Sequence, residues 1–140
     1  MFELSGKVIE GLGKGKKLGF PTLNLDPKCA PAKMTHGVYV AKVHTRPSRG
    51  EAKQLTRPKG ASSFGDFGGV LHYGKRHVHD GKVSLEVFCF GLDKDLYGTS
   101  VDINVGRKLR DVHAFKNESE LQMQISKDVE SAKQELNLRT

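Results

Sequence analysis

Short stretches in which hydrophobic and polar residues alternate, separated by turn residues, occupy most of the chain. They lie at residues 2–10, 18–25, 37–44, 67–74, 82–90 and 97–105. Alternation with a period of two is typical of β-strands, and the Gly, Asp and Pro residues between these stretches are typical of turns. The sequence therefore predicts about six short strands with no helix between them.

The C-terminal part of the chain has a helical period instead. Its apolar side chains recur at i, i+4, i+8, i+11 and i+15, at Leu121, Ile125, Val129, Ala132 and Leu136. This spacing predicts one amphipathic helix with its apolar stripe against a core, and Asn117 with Glu120 resembles its capping box. Short strands in succession followed by one helix exclude a doubly wound sheet. They favour a mainly β fold, a closed antiparallel β-barrel capped by a C-terminal α-helix.

The alternation also assigns side chains to strand faces. Val38, Val40 and Ala41 are predicted to point inward, as are Val101, Ile103 and Val105. In the stretch 82–90, Val83, Leu85, Val87 and Cys89 share one face, and Ser84, Glu86, Phe88 and Phe90 share the other. The carboxylate of Glu86 then lies beside two phenyl rings. It is either an exposed residue of a surface strand or a partly desolvated general base.

Length and composition bound what else the chain can be. Its 140 residues predict a single domain, residues 1–140, in which the polar stretch 45–66 is a flexible loop. The five basic residues of that stretch suit a polyanion-binding arm or a solvated hairpin tip, and the second is the more common use of such runs. No apolar run approaches a membrane span and no signal peptide is recognisable, so we expect a soluble, cytoplasmic protein with no membrane partner.

The formal net charge of +7 raises the question of nucleic-acid binding. Lys and Arg side chains bind phosphate backbones, but this chain has few aromatic residues and no Trp to stack on bases. A basic pocket for one polyphosphate explains the cluster of Lys14, Lys16 and Lys17 equally well. A basic β-barrel of the OB type that binds RNA stays an alternative, although we expect no nucleic-acid partner.

Cysteine and histidine residues give weak indications of chemistry. Cys29 and Cys89 are isolated from each other and from any zinc-finger spacing, which favours two reduced thiols. His72, His77 and His79 fall close together and a zinc site is one interpretation of them. Because no fourth ligand stands at a recognisable spacing, surface or pocket-lining histidines are the favoured interpretation.

The stretch from Gly11 to Asn24 is the strongest candidate for a site. Its four glycines leave points of the backbone without Cβ atoms, and its three lysines add positive charge, as a phosphate-binding loop requires. It lacks the ending of a Walker loop and the context of a Rossmann fingerprint. Pro21 favours an extended backbone, so Thr22 and Asn24 are predicted to share a strand face, and their hard oxygen atoms suit Mg2+.

The segment 13–25, which contains Gly13-Lys14-Gly15 and Pro21-Thr22-Leu23-Asn24, resembles the riboflavin kinase signature G-R-G-x-x-L-G-x-P-T-A-N. Further motifs of that family follow in order: Gly37-Val38-Tyr39-Val40, Ser84-Leu85-Glu86-Val87, Asp95-Leu96-Tyr97-Gly98, Lys108-Leu109-Arg110-Asp111 with Phe115, and a closing helix at 125–133. Ordered agreement over nearly the whole chain is far more specific than any one motif.

The resemblance implies a six-stranded antiparallel Greek-key β-barrel that transfers the γ-phosphate of ATP to the 5′-hydroxyl of riboflavin, giving FMN and ADP. It implies that Glu86 is the catalytic base and that Thr22 and Asn24 hold Mg2+. Arg110 and Phe115, together with Glu86, would bind the flavin. The nucleotide-binding residues that it implies are Gly13, Lys14, Gly15, Lys17, Gly19, Pro21, Thr22 and Asn24. We expect a monomer whose partners are the small molecules riboflavin and ATP.

Some positions depart from the family pattern. His72-Tyr73-Gly74 stands where Asn-Ile-Gly is usual, His77-Val78-His79 where Pro-Thr-Phe is common, and Phe88 where a His is frequent. These differences put adenine selectivity in question and leave a catalytically inactive flavin-binding relative as an alternative. No nucleotidyltransferase domain of the kind that many bacterial relatives carry is recognisable here, so FAD synthesis is not expected.

Overall fold

The computed structural model describes residues 2–9, 22–46, 66–75, 82–90 and 98–138. Within these ranges the elements are β1 (Phe2–Lys7), β2 (Thr22–Leu25), β3 (Gly37–Arg46), β4 (Asp66–Lys75), β5 (Val83–Cys89), β6 (Ser100–Arg110) and α1 (Glu118–Leu138). A short 3-10 turn, Pro27–Cys29, follows β2. The described part of the chain is therefore mainly β with a helix at its C-terminal end.

The strands form one antiparallel sheet in the order β1-β6-β3-β4-β5-β2. Because β3, β4 and β5 follow one another as neighbours and β6 returns to lie beside β3, the topology is a Greek key. The two edge strands approach each other where the backbone N–H of Ile9 donates to the carbonyl of Asn24 at 2.8 Å. The sheet is thus curled into a half-barrel, and the predicted fold class is confirmed.

Two hydrophobic cores lie on the two faces of the curled sheet. The interior core contains Leu4, Val8, Leu23, Leu25, Met34, Tyr39, Ala41, Val43, Leu71, Leu85, Val87, Cys89, Val101, Ile103 and Val105. The second core, between the sheet and α1, contains Val38, Val40, Val70, Phe88, Leu121, Ile125 and Ala132. The sheet is therefore buried on both faces where the helix covers it.

The prediction that Val38, Val40 and Ala41 all point into the barrel is wrong for the two valines. Ala41 lies in the interior core, whereas Val38 and Val40 lie under the helix. Both faces of β3 are apolar at this point, so the sequence pattern does not reveal which face is inside the barrel.

The other assignments of strand and helix faces are confirmed. Leu85, Val87 and Cys89 lie in the interior core with Val101, Ile103 and Val105, and Phe88 packs against the helix. All five apolar residues predicted for the helix stripe join the second core. At the start of the helix, the Asn117 side chain accepts the Glu120 backbone N–H at 2.9 Å, while the Glu120 carboxylate accepts the Lys116 N–H at 3.2 Å.

Several strands extend beyond their predicted ends. β6 runs to Arg110 instead of ending at Val105, because residues 108 and 110 still pair with β3. Thr45, Arg46 and Asp66, predicted as ends of the loop 45–66, belong to strands, and the rest of that loop lies outside the described residues. Backbone pairing continues where side-chain alternation stops, so hydrophobic patterning underestimates strand length.

Both cysteines are free thiols, as predicted. Burial raises the pKa of the Cys89 thiol to about 12. The pKa of Cys29 is also raised, by burial and then by the Asp26 carboxylate, but this thiol lies only partly buried. The two thiols therefore differ in access, since Cys89 is buried and Cys29 is only partly buried.

We expect thiol labelling of the native protein at pH 8 to modify Cys29 first, since only about 10⁻⁴ of Cys89 is thiolate at that pH. The Cys89 rate should rise with pH over the range in which the protein stays folded, because burial raises the pKa of this thiol. Mass spectrometry of peptides after timed labelling measures both rates. Equal rates in the native protein would contradict the buried position of Cys89.

Among the helices that the structure describes, none is long and apolar enough to cross a membrane.

Candidate functional site

One row of side chains crosses five neighbouring strands on the helix-facing side of the sheet. The strand registers place Asn24 opposite Glu86, Glu86 opposite His72, His72 opposite Val38, and Val38 opposite Arg110. Neighbouring strands lie about 4.8 Å apart, so Glu86 and Arg110 are separated by about 14 Å along the sheet. Polar groups therefore stand at both ends of this row, with Val38 between them.

A second, parallel row places Thr22 opposite Phe88. The Asn24 side-chain amide donates to the Thr22 hydroxyl with an Nδ2–Oγ1 distance of 3.4 Å. The prediction that Thr22 and Asn24 share a strand face is therefore confirmed. The structure also places this pair beside Glu86 and Phe88, a juxtaposition that the sequence alone does not give.

Glu86 lies between Asn24 and His72 and is partly buried. On its own strand it is flanked by Ser84, also partly buried, and by Phe88, which is 5% exposed. Of the two interpretations of Glu86, a fully exposed surface residue is therefore excluded. A carboxylate in such a position is partly desolvated, which is the environment of many general bases.

His72 is 1% exposed, so it is a core histidine rather than a surface one. Its Nδ1 atom lies 3.4 Å from the hydroxyl of Ser84. Among the described residues, no group of three or more His, Cys, Asp and Glu side chains could hold a metal ion. His77 and His79, the other members of the considered zinc site, lie outside the described residues.

Arg110, at the other end of the row, is held by the helix. Its Nε atom donates to both carboxylate oxygens of Asp128, at 3.0 and 3.1 Å, and its Nη2 atom donates to Asp128 at 2.9 Å. The Gln124 side chain donates to the same carboxylate at 3.0 Å. The Arg110 and Asp128 side chains are only 16% and 6% exposed. This geometry is a largely buried ion pair in which two guanidinium nitrogen atoms bind one carboxylate. Such charge-assisted hydrogen bonds are stronger than hydrogen bonds between neutral groups.

The chain that leaves β6 after Arg110 crosses back over the sheet. A Cβ atom added to Gly74 would lie 2.9 Å from the Val112 side chain, so this part of the chain packs closely on β4. Gly74 is opposite Ser84, two residues before Glu86 on β5. Further on, the Phe115 ring lies 5.7 Å from the Arg110 guanidinium carbon, close enough for a cation–π contact.

The structure brings together several of the predicted site residues. Thr22, Asn24 and Glu86 are neighbours, and Arg110 and Phe115 form a second pair farther along the same face. The nucleotide-binding residues predicted from the glycine-rich loop lie outside the described residues: Gly13, Lys14, Gly15, Lys17, Gly19 and Pro21. The described part of the site therefore consists of residues on the strands and on the chain between β6 and α1.

Sequence reasoning missed Asp128 as the partner of Arg110, and Gln124 as a second partner of Asp128. Asp128 is 5% exposed and lies on the buried side of a helix whose other buried residues are apolar. A charged residue next to an apolar helix stripe is the sequence feature that could have revealed it, because buried carboxylates require partners. The partner itself could not be named, since it lies on a distant strand.

An open groove of about 600 Å³ lies elsewhere on the sheet, beside β1, β3 and β6. Its lining includes Phe2, Lys42, Asn104 and Leu136. None of the predicted site residues lines it, so its size does not make it the candidate site.

Nearly the whole chain is similar to known proteins. A family model described as "Flavokinase: Riboflavin kinase" matches residues 1–136. A bifunctional riboflavin kinase/FMN adenylyltransferase of Haemophilus influenzae is 34% identical over 135 residues, which are 94% of this chain and 38% of that protein. The chain thus spans little more than a third of the length of this relative.

A second relative is named as an RNA-binding protein as well as a riboflavin kinase. The RNA-binding riboflavin kinase RibR of Bacillus subtilis is 28% identical over 128 residues, 90% of this chain and 47% of that protein.

Solved structures share the fold. A structure titled macrolide-efflux protein from Streptococcus pneumoniae matches with a TM-score of 0.66 and 24% identity, over 90% of this chain and 36% of that one. Riboflavin kinase from Trypanosoma brucei matches with a TM-score of 0.54 and 22% identity, over 96% and 79%. At these identities the matches establish the fold alone.

Proposed function

We propose, from the premise that this chain belongs to the riboflavin kinase family, that it transfers the γ-phosphate of ATP to the 5′-hydroxyl of riboflavin, giving FMN and ADP. The observation that carries the proposal is the row in which Glu86 stands between Asn24 and His72, with Thr22 next to Asn24. A carboxylate beside a hydroxyl and an amide supplies a proton acceptor next to polar groups suited to a phosphate and its metal ion.

In the proposed mechanism, Glu86 accepts the proton that the 5′-hydroxyl of riboflavin loses as its oxygen attacks the γ-phosphorus. The bond from that phosphorus to the bridging oxygen of ADP breaks, and ADP leaves with the bonding electron pair. Phosphoryl transfer needs positioning and charge neutralisation more than covalent help from the protein. The fixed place of Glu86 between β2 and β4 supports its role as the base, because its strand is paired on both sides.

The side chains of Thr22 and Asn24 fit a magnesium–nucleotide complex. A hydroxyl and an amide whose Oγ1 and Nδ2 atoms lie 3.4 Å apart offer hard oxygen atoms on one face, beside the Glu86 carboxylate. Mg2+ bound there would neutralise charge on the transferred phosphate. We assign the remaining nucleotide contacts to Gly13, Lys14, Gly15, Lys17, Gly19 and Pro21.

We assign the flavin to the opposite part of the same sheet face. Phe115 offers a ring for stacking, and the Arg110 guanidinium lies 5.7 Å from the ring centre. Glu86 and Arg110 lie about 14 Å apart along the sheet, a separation of the same order as the length of an extended substrate that reaches from the base to the aromatic side chain. Riboflavin, with its ribityl chain ending in the reacting hydroxyl, has that extended shape.

The proposal is tested by incubating the purified chain with riboflavin, ATP and Mg2+ and separating the flavins by chromatography. FMN should appear at a rate proportional to protein concentration. Product formation with riboflavin but not with a flavin that lacks the 5′-hydroxyl would identify the acceptor atom.

Thr22→Ala is expected to weaken Mg2+-dependent nucleotide binding while leaving the fold intact, because it removes an oxygen atom from a partly buried side chain. Loss of one hydrogen-bonding or ligand group should lower the affinity for MgADP by about tenfold. Calorimetric titration with MgADP and a thermal melt measure the two effects. Unchanged MgADP affinity would place the metal site elsewhere.

RNA binding is the second candidate function, favoured by the relative named RNA-binding riboflavin kinase and by the formal net charge of +7. RNA affinity should fall by about 10³-fold or more between low and physiological salt if six or more phosphates are contacted. Riboflavin binding should respond weakly to salt. Tight RNA binding at physiological salt without riboflavin binding would reverse the order of the two candidates.

A further inference from the structure

Four hydrogen bonds join Arg110, Asp128 and Gln124: three from the Arg110 guanidinium to the Asp128 carboxylate and one from the Gln124 side chain to the same carboxylate. We name these three residues the clasp. It joins the last residue of β6 to the middle of α1. Replacing a buried ion pair by apolar residues often costs no stability, so stability alone is a weak reason to have one. In some proteins such a pair instead fixes one arrangement of the groups around it.

The group that the clasp fixes is the chain just after it, residues 111–115, which we name the covering segment. The Arg110 Nη1 atom donates to the backbone carbonyl of Asp111 at 3.1 Å and lies 3.4 Å from His113 Nδ1. Lys108 adds an ion pair to the Asp111 carboxylate at 2.7 Å, which holds the pKa of that carboxyl below its usual range. The start of the segment is therefore tied to β6 at several points.

The covering segment also reaches the proposed site. Val112 packs on Gly74 of β4. Gly74 is opposite Ser84 of β5, and two residues back along β4, His72 is opposite Glu86. At the far end of the segment, the His113 and Phe115 rings are in contact, with centroids 4.4 Å apart. Movement of the segment would thus displace the side of the site that we assign to the flavin.

We propose that Asp128 is a positioning residue: by orienting Arg110 it holds the covering segment over the row that carries Glu86, and so sets the affinity for riboflavin. The proposal rests on the proposed function. Arg110 makes five polar contacts, three with Asp128, one with the Asp111 carbonyl and one with His113, so this guanidinium acts chiefly on the protein itself. Contact with the flavin then falls to Phe115 and its neighbours in the segment.

The chain offers a matched control for this proposal. Arg107 and Glu135 form a second ion pair between β6 and α1, with an Nε–Oε2 distance of 2.9 Å. The Arg107 side chain is 61% exposed. Glu135 lies seven residues beyond Asp128 on α1, about 10 Å along the helix axis. Glu135→Gln therefore removes a carboxylate charge that links the same two elements without loosening the segment.

The test compares Asp128→Asn with Glu135→Gln in riboflavin and ATP kinetics and in amide hydrogen exchange. Asp128→Asn should raise the KM for riboflavin by about 10- to 100-fold, with the KM for ATP changed less than about twofold. Exchange of the amides of residues 111–115 should accelerate by about tenfold. Glu135→Gln should change neither quantity.

A second, milder variant tests the same proposal if Asp128→Asn does not fold. Gln124→Met removes one hydrogen bond to Asp128 and should raise the riboflavin KM by about two- to tenfold, again with faster exchange in the covering segment. A riboflavin KM in both clasp variants equal to that of Glu135→Gln, or unchanged exchange at residues 111–115, would overturn the proposal. If the parent chain makes no FMN, the proposed function fails, while the exchange measurement still decides whether the clasp holds the segment.

Discussion

Glu86→Gln is expected to lower kcat for riboflavin phosphorylation by about 10²- to 10⁴-fold, the usual range for general-base assistance. The amide keeps the size and hydrogen-bonding capacity of the side chain but cannot take the proton of the attacking hydroxyl. Because Glu86 stands in a paired row between Asn24 and His72, the replacement should leave its neighbours in place. Steady-state kinetics with saturating riboflavin and MgATP measure the change.

Two further measurements separate lost chemistry from altered folding or binding. Riboflavin affinity, followed by flavin fluorescence, and the melting temperature should both stay close to those of the parent. The matched variant Ser84→Ala alters the same face of β5 two residues away and should retain most of the activity. A Glu86→Gln protein that works at more than about a tenth of the parental rate would show that Glu86 is not the base.

Gly69→Ala is expected to lower activity more than its effect on stability explains. A Cβ atom at Gly69 would lie 2.6 Å from the carbonyl oxygen of Phe88 and 2.9 Å from the Val87 side chain. The added methyl group must push β5 away from β4, at a cost of about 1–3 kcal/mol in the free energy of unfolding. Since Glu86 lies on β5, a displacement of about 1 Å should reduce kcat by about 10²-fold.

Leu71→Ala is the matched control, two residues along the same strand. Leu71 is fully buried in the interior core, so its truncation leaves a cavity and should cost about 2–5 kcal/mol in the free energy of unfolding. It pushes no backbone apart, so activity should persist below its melting temperature. Chemical denaturation and kinetics at one low temperature measure both variants. Equal loss of kcat in the two would show that stability, not the position of β5, limits activity.

The elements with the clearest pattern were predicted from the sequence. The alternation in β5, the inward residues of β6 and the apolar stripe of α1 are all confirmed, because each of these elements repeats apolar residues at the spacing of its own secondary structure. Prediction failed for Val38 and Val40, which lie under the helix instead of inside the barrel. Where a strand is buried on both sides, its side chains are apolar on both sides, and periodicity carries no information about direction.

The candidate site was predicted in parts rather than as a whole. Local spacing places Thr22 and Asn24 on one face, because neighbouring residues of a strand alternate. The alignment of Asn24, Glu86 and His72 depends instead on the register of three strands that lie far apart in the sequence. Register is set by turns and long-range packing, so spacing along one strand cannot supply it.

The departures from the family pattern have a partial physical account. Phe88 is 5% exposed and packs in the core between the sheet and α1, so an apolar ring suits that position. His72 occupies the buried place opposite Glu86. The structure therefore explains how these two side chains are accommodated.

The decisive measurement is the transfer of radiolabel from γ-labelled ATP to riboflavin. With Mg2+ present, we expect label to appear in FMN, one phosphate for each riboflavin consumed, and the Glu86→Gln protein to transfer it at least about 10²-fold more slowly. Absence of labelled FMN from the folded, riboflavin-binding parent chain would show that it is not a riboflavin kinase.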